Sequence, residues 1–187
     1  MKKTANSTIF NVDLNSLELF NCVDKTPHNG LRRCYEDEVI KISKVLKLKI
    51  PINYIFYFQL KSNHVSRIHI DRDITAGDKE LPKFALNIPL HDSSLHMDWY
   101  RSMPNVEIGK YKGTPNHNGV PFLDVNNAIH LERCYFKGPM IAKNDDWHSI
   151  SNDDPLNVSH MISIRFDHSI SRDSVEEMII LRYYQDR

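Results

Sequence analysis

Residues 65–71, Val-Ser-Arg-Ile-His-Ile-Asp (VSRIHID), decide how the rest of the chain is read. Successive side chains of an extended strand point to opposite faces, so Ile68 and Ile70 share one face while Arg67, His69 and Asp71 share the other. The same division recurs in FALNIPL (84–90), where Phe84, Leu86, Ile88 and Leu90 lie opposite Ala85, Asn87 and Pro89. It recurs again in MISIRFD (161–167), with Ile162, Ile164 and Phe166 opposite Met161, Ser163, Arg165 and Asp167. Three strands each pair a greasy face with a face of reactive polar groups. If the greasy faces meet covering helices or a second layer, the polar faces line a cavity; an ordinary sheet with its polar face in solvent meets the pattern equally.

Further β-rich runs are Ile52–Leu60, His148–Ser151 and Val158–Phe166, which together predict a β-sandwich or barrel. Residues 35–46 (YEDEVIKISKVL) set Val39, Ile40, Ile42, Val45 and Leu46 largely on one helical face, the pattern of a helix covering a sheet. Between Leu95 and Met140 the density of Gly and Pro predicts long loops with short strands between them. The tail DSVEEMIILRYY opens as a helix with Asp173 as N-cap and Glu176 three residues on, a terminal strand being the alternative. No repeat or linker divides the chain, so one domain over 1–187 is expected, with strand and helix elements of residues 1–50 packing on the core.

With 24 basic and 24 acidic residues the formal net charge is zero, so no basic field draws nucleic acid or anionic lipid, and neither partner is indicated. Three widely spaced cysteines, Cys22, Cys34 and Cys134, fit reduced structural thiols better than a disulfide framework. No apolar stretch spans a bilayer and no secretory leader is legible, so a cytoplasmic address is the default expectation.

Two ligands separated by one residue on a strand point the same way, so His69-x-Asp71 at a strand end offers two neighbouring metal ligands. The two-histidine, one-carboxylate set leaves three octahedral positions open, which suits an iron(II) that must take both a cosubstrate and dioxygen. The spacing is weak alone: His96-x-Asp98 is a second match and His130-x-Glu132 a glutamate version. His69-x-Asp71 is preferred because it ends a β-rich run before the turn-prone DRDITAGDKE, whereas His96 and Asp98 precede Trp99 and Tyr100 after a polar stretch, where a loop or strand-entry role is more natural. For the distal ligand, His148 precedes the turn NDDPLN and the strand of Arg165. Were that turn a hairpin, His148 would stand opposite Met161 on Arg165's face, four residues or roughly 13 Å away. Arg165 would then anchor the far carboxylate of an extended diacid whose near end chelates the metal. A salt bridge at a sheet edge is the other reading of Arg165, and His117, His130, His160 and His168 are rival distal ligands.

IHIDRD, FALNIPL, DWY, WHSIS and ISIRF, in that order, resemble the iron(II)- and 2-oxoglutarate-dependent oxygenase superfamily, in particular small bacterial and phage-associated members with an "ALNIP" strand and a Trp-Tyr pair. The likeness runs from about Ile52 to Phe166. It implies a mainly β, cupin-like double-stranded β-helix (jelly roll) with covering helices, His69, Asp71 and His148 as iron ligands, and Arg165 as the 2-oxoglutarate anchor. The chain departs from the family pattern at Asp167, where many members carry Ser or Thr two residues past the arginine; here Ser163 stands two before it. Asn87, Tyr57 and Gln59 are added as polar groups able to hold a cosubstrate carboxylate, and Trp99 and Tyr100 as pocket walls or core. The resemblance implies hydroxylation of a small molecule or side chain with dioxygen as co-reactant. The alternatives are a cupin-type metal enzyme indifferent to 2-oxoglutarate and a non-catalytic jelly-roll binding protein.

Overall fold

The computed structural model describes residues 1–27, 30–71, 83–90, 94–110, 120–167 and 169–184. In chain order these form β1 (Lys2–Lys3), β2 (Ser7–Ile9), α1 (Ser16–Asn21), β3 (Gly30–Arg33), α2 (Glu36–Leu46), β4 (Ile52–Leu60), β5 (His64–Val65), β6 (Ile68–His69), β7 (Phe84–Pro89), β8 (Leu95–Ser102), β9 (Gly109–Lys110), β10 (Pro121–Leu123), β11 (Ala128–Tyr135), β12 (Met140–Lys143), β13 (His148–Asn152), β14 (Ser159–Phe166) and α3 (Arg172–Tyr184). One antiparallel sheet has the order β1-β2-β12-β7-β14-β4-β3, and the second β11-β8-β13-β6-β10-β9 with β5 beside β13. From β4 onward the chain passes back and forth between them: β4, β7, β12 and β14 in the first, β6, β8, β11 and β13 in the second. Two curled sheets wound in this way are a jelly roll.

The greasy faces meet helices, which settles the choice left open by alternation. Ile55, Leu86, Ile88, Ile141, Ile162, Ile164 and Phe166 form one core with Leu19, Ile42, Leu46, Val175 and Ile179 of the three helices. The opposite face of the first sheet looks into the space between the sheets, where Leu60, Met140, Ala142 and Met161 pack against Leu95, Met97, Trp99 and Ile150. Among the described residues no helix is long and apolar enough to cross a membrane.

Several local expectations are corrected. Residues 65–70 divide into β5 and β6, because Ser66 spends its hydroxyl on the Ile150 amide, accepting its N–H at 2.8 Å. The Gly- and Pro-rich middle holds two full strands, β8 and β11, paired over their length with one irregularity between His130 and Glu132. β13 and β14 are not a hairpin: the turn between them carries the chain from one sheet to the other, pinned by the Asn152 amide, which donates to the carbonyls of Leu60, Lys61 and Asn157. The tail is a helix, but Ser171 rather than Asp173 caps it, accepting the Ser174 N–H at 3.1 Å. Glu176 turns inward instead, accepting from Lys3, Thr8 and Arg172 and tying α3 to the N-terminal strands.

Leu86 is fully buried on the helix-facing side of the central strand β7. Leu86→Ala is expected to lower stability by about 2–5 kcal/mol through the cavity it leaves, read as a fall in urea midpoint. Because that side chain points away from the intersheet space, divalent-metal affinity is expected to stay at the wild-type value.

Candidate metal centre

His69 on β6 and His148 on β13 are direct partners across an antiparallel pair, so their side chains stand on one face with ring centroids 4.6 Å apart. Asp71, two residues past His69, returns to the same face, and its amide N–H donates to the Asn144 carbonyl at 3.3 Å. Its Oδ1 lies 3.3 Å from His69 Nε2 and 3.6 Å from His148 Nε2. One donor atom from each of the three residues falls within 4.8 Å of the other two, a set that fits a single metal ion. His69 Nδ1 is 2.7 Å from the Arg67 carbonyl and His148 Nδ1 is 2.8 Å from the Asp146 carbonyl. A carbonyl only accepts, so both Nδ1 atoms carry hydrogen; in the neutral rings the Nε2 lone pairs are left toward the shared space. Trp99, fully buried, stands across from His148 on β8 and donates Nε1–H to the Lys143 carbonyl at 3.0 Å, bracing that side of the site. Tyr100 faces the other way, toward Ser149 and His130.

Arg165 reaches the trio from the opposite wall, donating Nη2–H to Asp71 Oδ2 at 2.6 Å. Burial alone would raise the Asp71 carboxyl, but the Arg165 charge and the two imidazoles overcome it and hold the carboxyl well below its ordinary range. For His69 the order is the same: burial disfavours its charged form, and Asp71 more than offsets this, leaving the imidazole above its usual value. The hairpin argument that put His148 and Arg165 on one face, well apart, is therefore corrected. They face each other between two sheets, and only the width of the Asp71 carboxylate separates guanidinium from imidazole.

The register of the first sheet explains the room Arg165 occupies. Ala142, Ala85, Arg165 and Tyr54 form one row across four strands, so two methyl groups in succession leave space on one side of the long side chain and the Tyr54 ring stands on the other. The next row is Met140, Asn87, Ser163 and Phe56. Asn87 and Ser163 are thus inward and adjacent, as expected, and Phe56 packs under the guanidinium at 5.9 Å. Arg165 Nη1, Ser163 Oγ and the Asn144 Nδ2 are buried without a hydrogen-bond partner among the described residues. Tyr57 and Gln59 are misplaced by the sequence reading: they point to the helix side, where the Tyr57 hydroxyl meets His160 Nδ1 at 2.6 Å and Gln59 Nε2 donates to the Lys25 carbonyl. His160 is thereby removed from the metal side as well. Of the other rivals, His117 and His168 lie outside the described residues. Asn144, Tyr54 and Phe56 were not anticipated; parity counted back from Arg165 across the β4 pairing is the signal that finds the last two.

No known family model and no curated protein matches the chain in sequence. Among solved structures it is similar to a Pseudomonas putida prolyl-4-hydroxylase at 9% identity and a TM-score of 0.43, over 88% of this chain and 92% of that one. At that distance neither the substrate nor the residues of that enzyme carry over.

The rival motifs share a different site. His96, Asp98 and His130 meet on the outer face of the second sheet, all within strands, where Asp98 accepts from His96 Nε2 (3.1 Å), His130 Nε2 (2.7 Å) and Arg133 Nε and Nη2 (2.8 and 3.0 Å). Arg133 occupies the carboxylate with a fork of two hydrogens, which supplies the cation a metal would otherwise bring. Burial pushes the Asp98 carboxyl up, but the hydrogen bonds from His96, Arg133 and His130 prevail and take it far below the ordinary value. A carboxyl lowered on folding adds stability that is complete above its unfolded value near 4 and is lost as the pH falls further. Wild type is therefore expected to lose urea resistance between about pH 5 and pH 2 more steeply than Asp98→Asn, which is itself about 1–3 kcal/mol less stable at neutral pH.

Proposed function

We propose that the chain is an iron(II)- and 2-oxoglutarate-dependent oxygenase that hydroxylates a small molecule or a side chain. The observation that carries this reading is the pair of imidazole Nε2 atoms directed at one oxygen of Asp71 on the inner wall of a jelly roll. His69, His148 and Asp71 Oδ1 are the metal ligands in this reading, and the backbone carbonyls of Arg67 and Asp146 keep both rings in the coordinating tautomer. Arg165 holds Asp71 Oδ2, so the carboxylate offers the metal a single oxygen and leaves coordination positions open. Arg165 Nη1, Ser163 Oγ and Asn87 supply buried hydrogen-bonding groups for the acid end of the diacid, and the two orphaned atoms among them fit an acceptor they lack within the protein. When bound, the metal and the 2-oxo acid supply the oxidising power, with dioxygen as co-reactant. The chain's own part is to fix the ligand geometry, neutralise the acid and keep the reacting region between two sheets away from bulk water.

One observation favours a second reading. Arg165 spends a nitrogen on Asp71, so a metal enzyme of the cupin type, with Arg165 only securing the carboxylate and no 2-oxoglutarate, also accounts for the ion pair.

Anaerobic addition of iron(II) and 2-oxoglutarate is expected to produce a visible charge-transfer band that is missing in His69→Ala. Arg165→Met is expected to weaken 2-oxoglutarate by roughly 10- to 100-fold, the loss of a charge-assisted contact. A band that survives in His69→Ala removes the ligand assignment, and iron binding that ignores 2-oxoglutarate transfers support to the second reading.

A further inference from the structure

The connection from β12 to β13 ties three main-chain carbonyls to the metal site. Lys143 takes the Trp99 indole N–H, Asn144 takes the Asp71 amide N–H at 3.3 Å, and Asp146 takes the His148 Nδ1 hydrogen at 2.8 Å. The Lys143 ammonium closes the same segment on the Asp146 carboxylate at 2.8 Å. Asn144 is 2% exposed, and its own N–H donates to the Lys83 carbonyl at 3.0 Å, which carries the β12–β7 ladder one residue past the strand. Met140 and Ala142 face the intersheet space while Ile141 faces the helices, so the alternation turns the Asn144 side chain inward. Its backbone groups are engaged, but Nδ2 is buried with no hydrogen-bond partner among the described residues. Asn144 Nδ2, Arg165 Nη1 and Ser163 Oγ, all orphaned, fall in successive rows on this inner face of the first sheet. Asp71 links the first two: Arg165 grips its Oδ2 at 2.6 Å and Asn144 holds its main-chain N–H. Across such a main-chain hydrogen bond the Cα atoms stand roughly 5–6 Å apart, so even a side chain as short as asparagine reaches the space beside the Asp71 carboxylate. A buried donor left unpaired is costly, and three in succession mark a place prepared for oxygen acceptors from outside the chain.

We propose that Asn144 is a further cosubstrate contact, donating Nδ2–H to the metal-chelating carboxylate of the 2-oxo acid while Arg165 and Ser163 hold the carboxylate at its other end. This rests on the oxygenase reading for its metal and cosubstrate, and it adds the group that meets the diacid at the end away from Arg165. A neutral amide suits that place: it sets no further charge beside the metal, the imidazoles and the guanidinium, yet its hydrogen bond to an ionised oxygen is stronger than one between neutral partners. Because the Asn144 carbonyl also holds the Asp71 N–H, a metal ligand and the cosubstrate are registered against the same residue.

The test loads the whole chain with Mn(II) and titrates it calorimetrically with 2-oxoglutarate and with oxalate, which carries the chelating head and lacks the tail. Asn144→Ala is expected to weaken both by roughly tenfold with Mn(II) affinity at the wild-type value, and Asn144→Ser, which keeps a short donor, to recover part of the loss. Ser163→Ala is expected to weaken 2-oxoglutarate and leave oxalate unchanged. Wild-type oxalate affinity in Asn144→Ala overturns the proposal, and so does a parallel loss of Mn(II) affinity, which makes the residue a support for Asp71 alone. A measurement without substitution stands beside these: in wild type loaded with diamagnetic Zn(II), oxalate is expected to shift one asparagine side-chain amide in the nitrogen–proton NMR spectrum, and a spectrum in which none moves overturns the proposal as well. Wild type that binds Mn(II) and oxalate but ignores 2-oxoglutarate is a failure of the oxygenase reading, and the Asn144 contact is then judged on oxalate alone. Wild type that takes up no Mn(II) overturns both.

Discussion

The Asp71 carboxylate is shared by three positively polarised groups from three parts of the chain: one oxygen faces the imidazoles of His69 and His148, and the other takes the Arg165 guanidinium. Withdrawing either the carboxylate or the guanidinium from water with no such company would be costly. The pairing is also the charged link between the two sheets at this end of the fold, since His69 and His148 belong to one and Arg165 to the other. Ligand geometry and the closure of the sandwich are thus the same interaction. Arg165 is a positioning residue for Asp71 before it is anything to a ligand.

Strand alternation made the inner faces of three strands legible from sequence alone. His69, Asp71, Asn87, Ser163 and Arg165 all fall where the parity of VSRIHID, FALNIPL and MISIRFD puts them. Parity failed on β4 because INYIFYFQL is apolar at nearly every position, as a strand covered on both sides must be, and neither face announces itself. Tyr57 and Gln59 were chosen there for their polar ends, whereas the inner row holds Tyr54, Phe56 and Phe58. The β13–β14 turn misled for another reason: its Asn, Asp and Pro residues specify a reversal of direction but not whether the chain stays in one sheet. Sheet membership is a property of the whole winding and is not written in six residues.

Two His-x-Asp motifs, both on strands, met different fates for a reason visible only in three dimensions. His69 and Asp71 face inward beside a third imidazole, while His96 and Asp98 face outward beside a bidentate arginine. In β8 the residues Leu95, Met97 and Trp99 claim the core, so the alternate set has to face out, and of the loop and strand-entry roles open to this run the structure has the strand. Both carboxylates take a guanidinium, but Arg133 engages both oxygens of Asp98, whereas Arg165 leaves Asp71 Oδ1 to the two imidazoles, a donor set that fits a metal ion.

Ala85 and then Ala142 lie on one side of Arg165 in the first sheet, with Tyr54 on the other, and their smallness has a bearing on what the interior can hold. With only methyl groups on the β7 side, the guanidinium has clearance in that direction, and its donor tips can be redirected by a rotamer change without moving the backbone. The wall is thus adjustable at one place and rigid around it. A bulkier pair at those two positions would crowd the arm toward Tyr54 and fix it on Asp71, so the freedom of the guanidinium is governed by residues outside the ion pair.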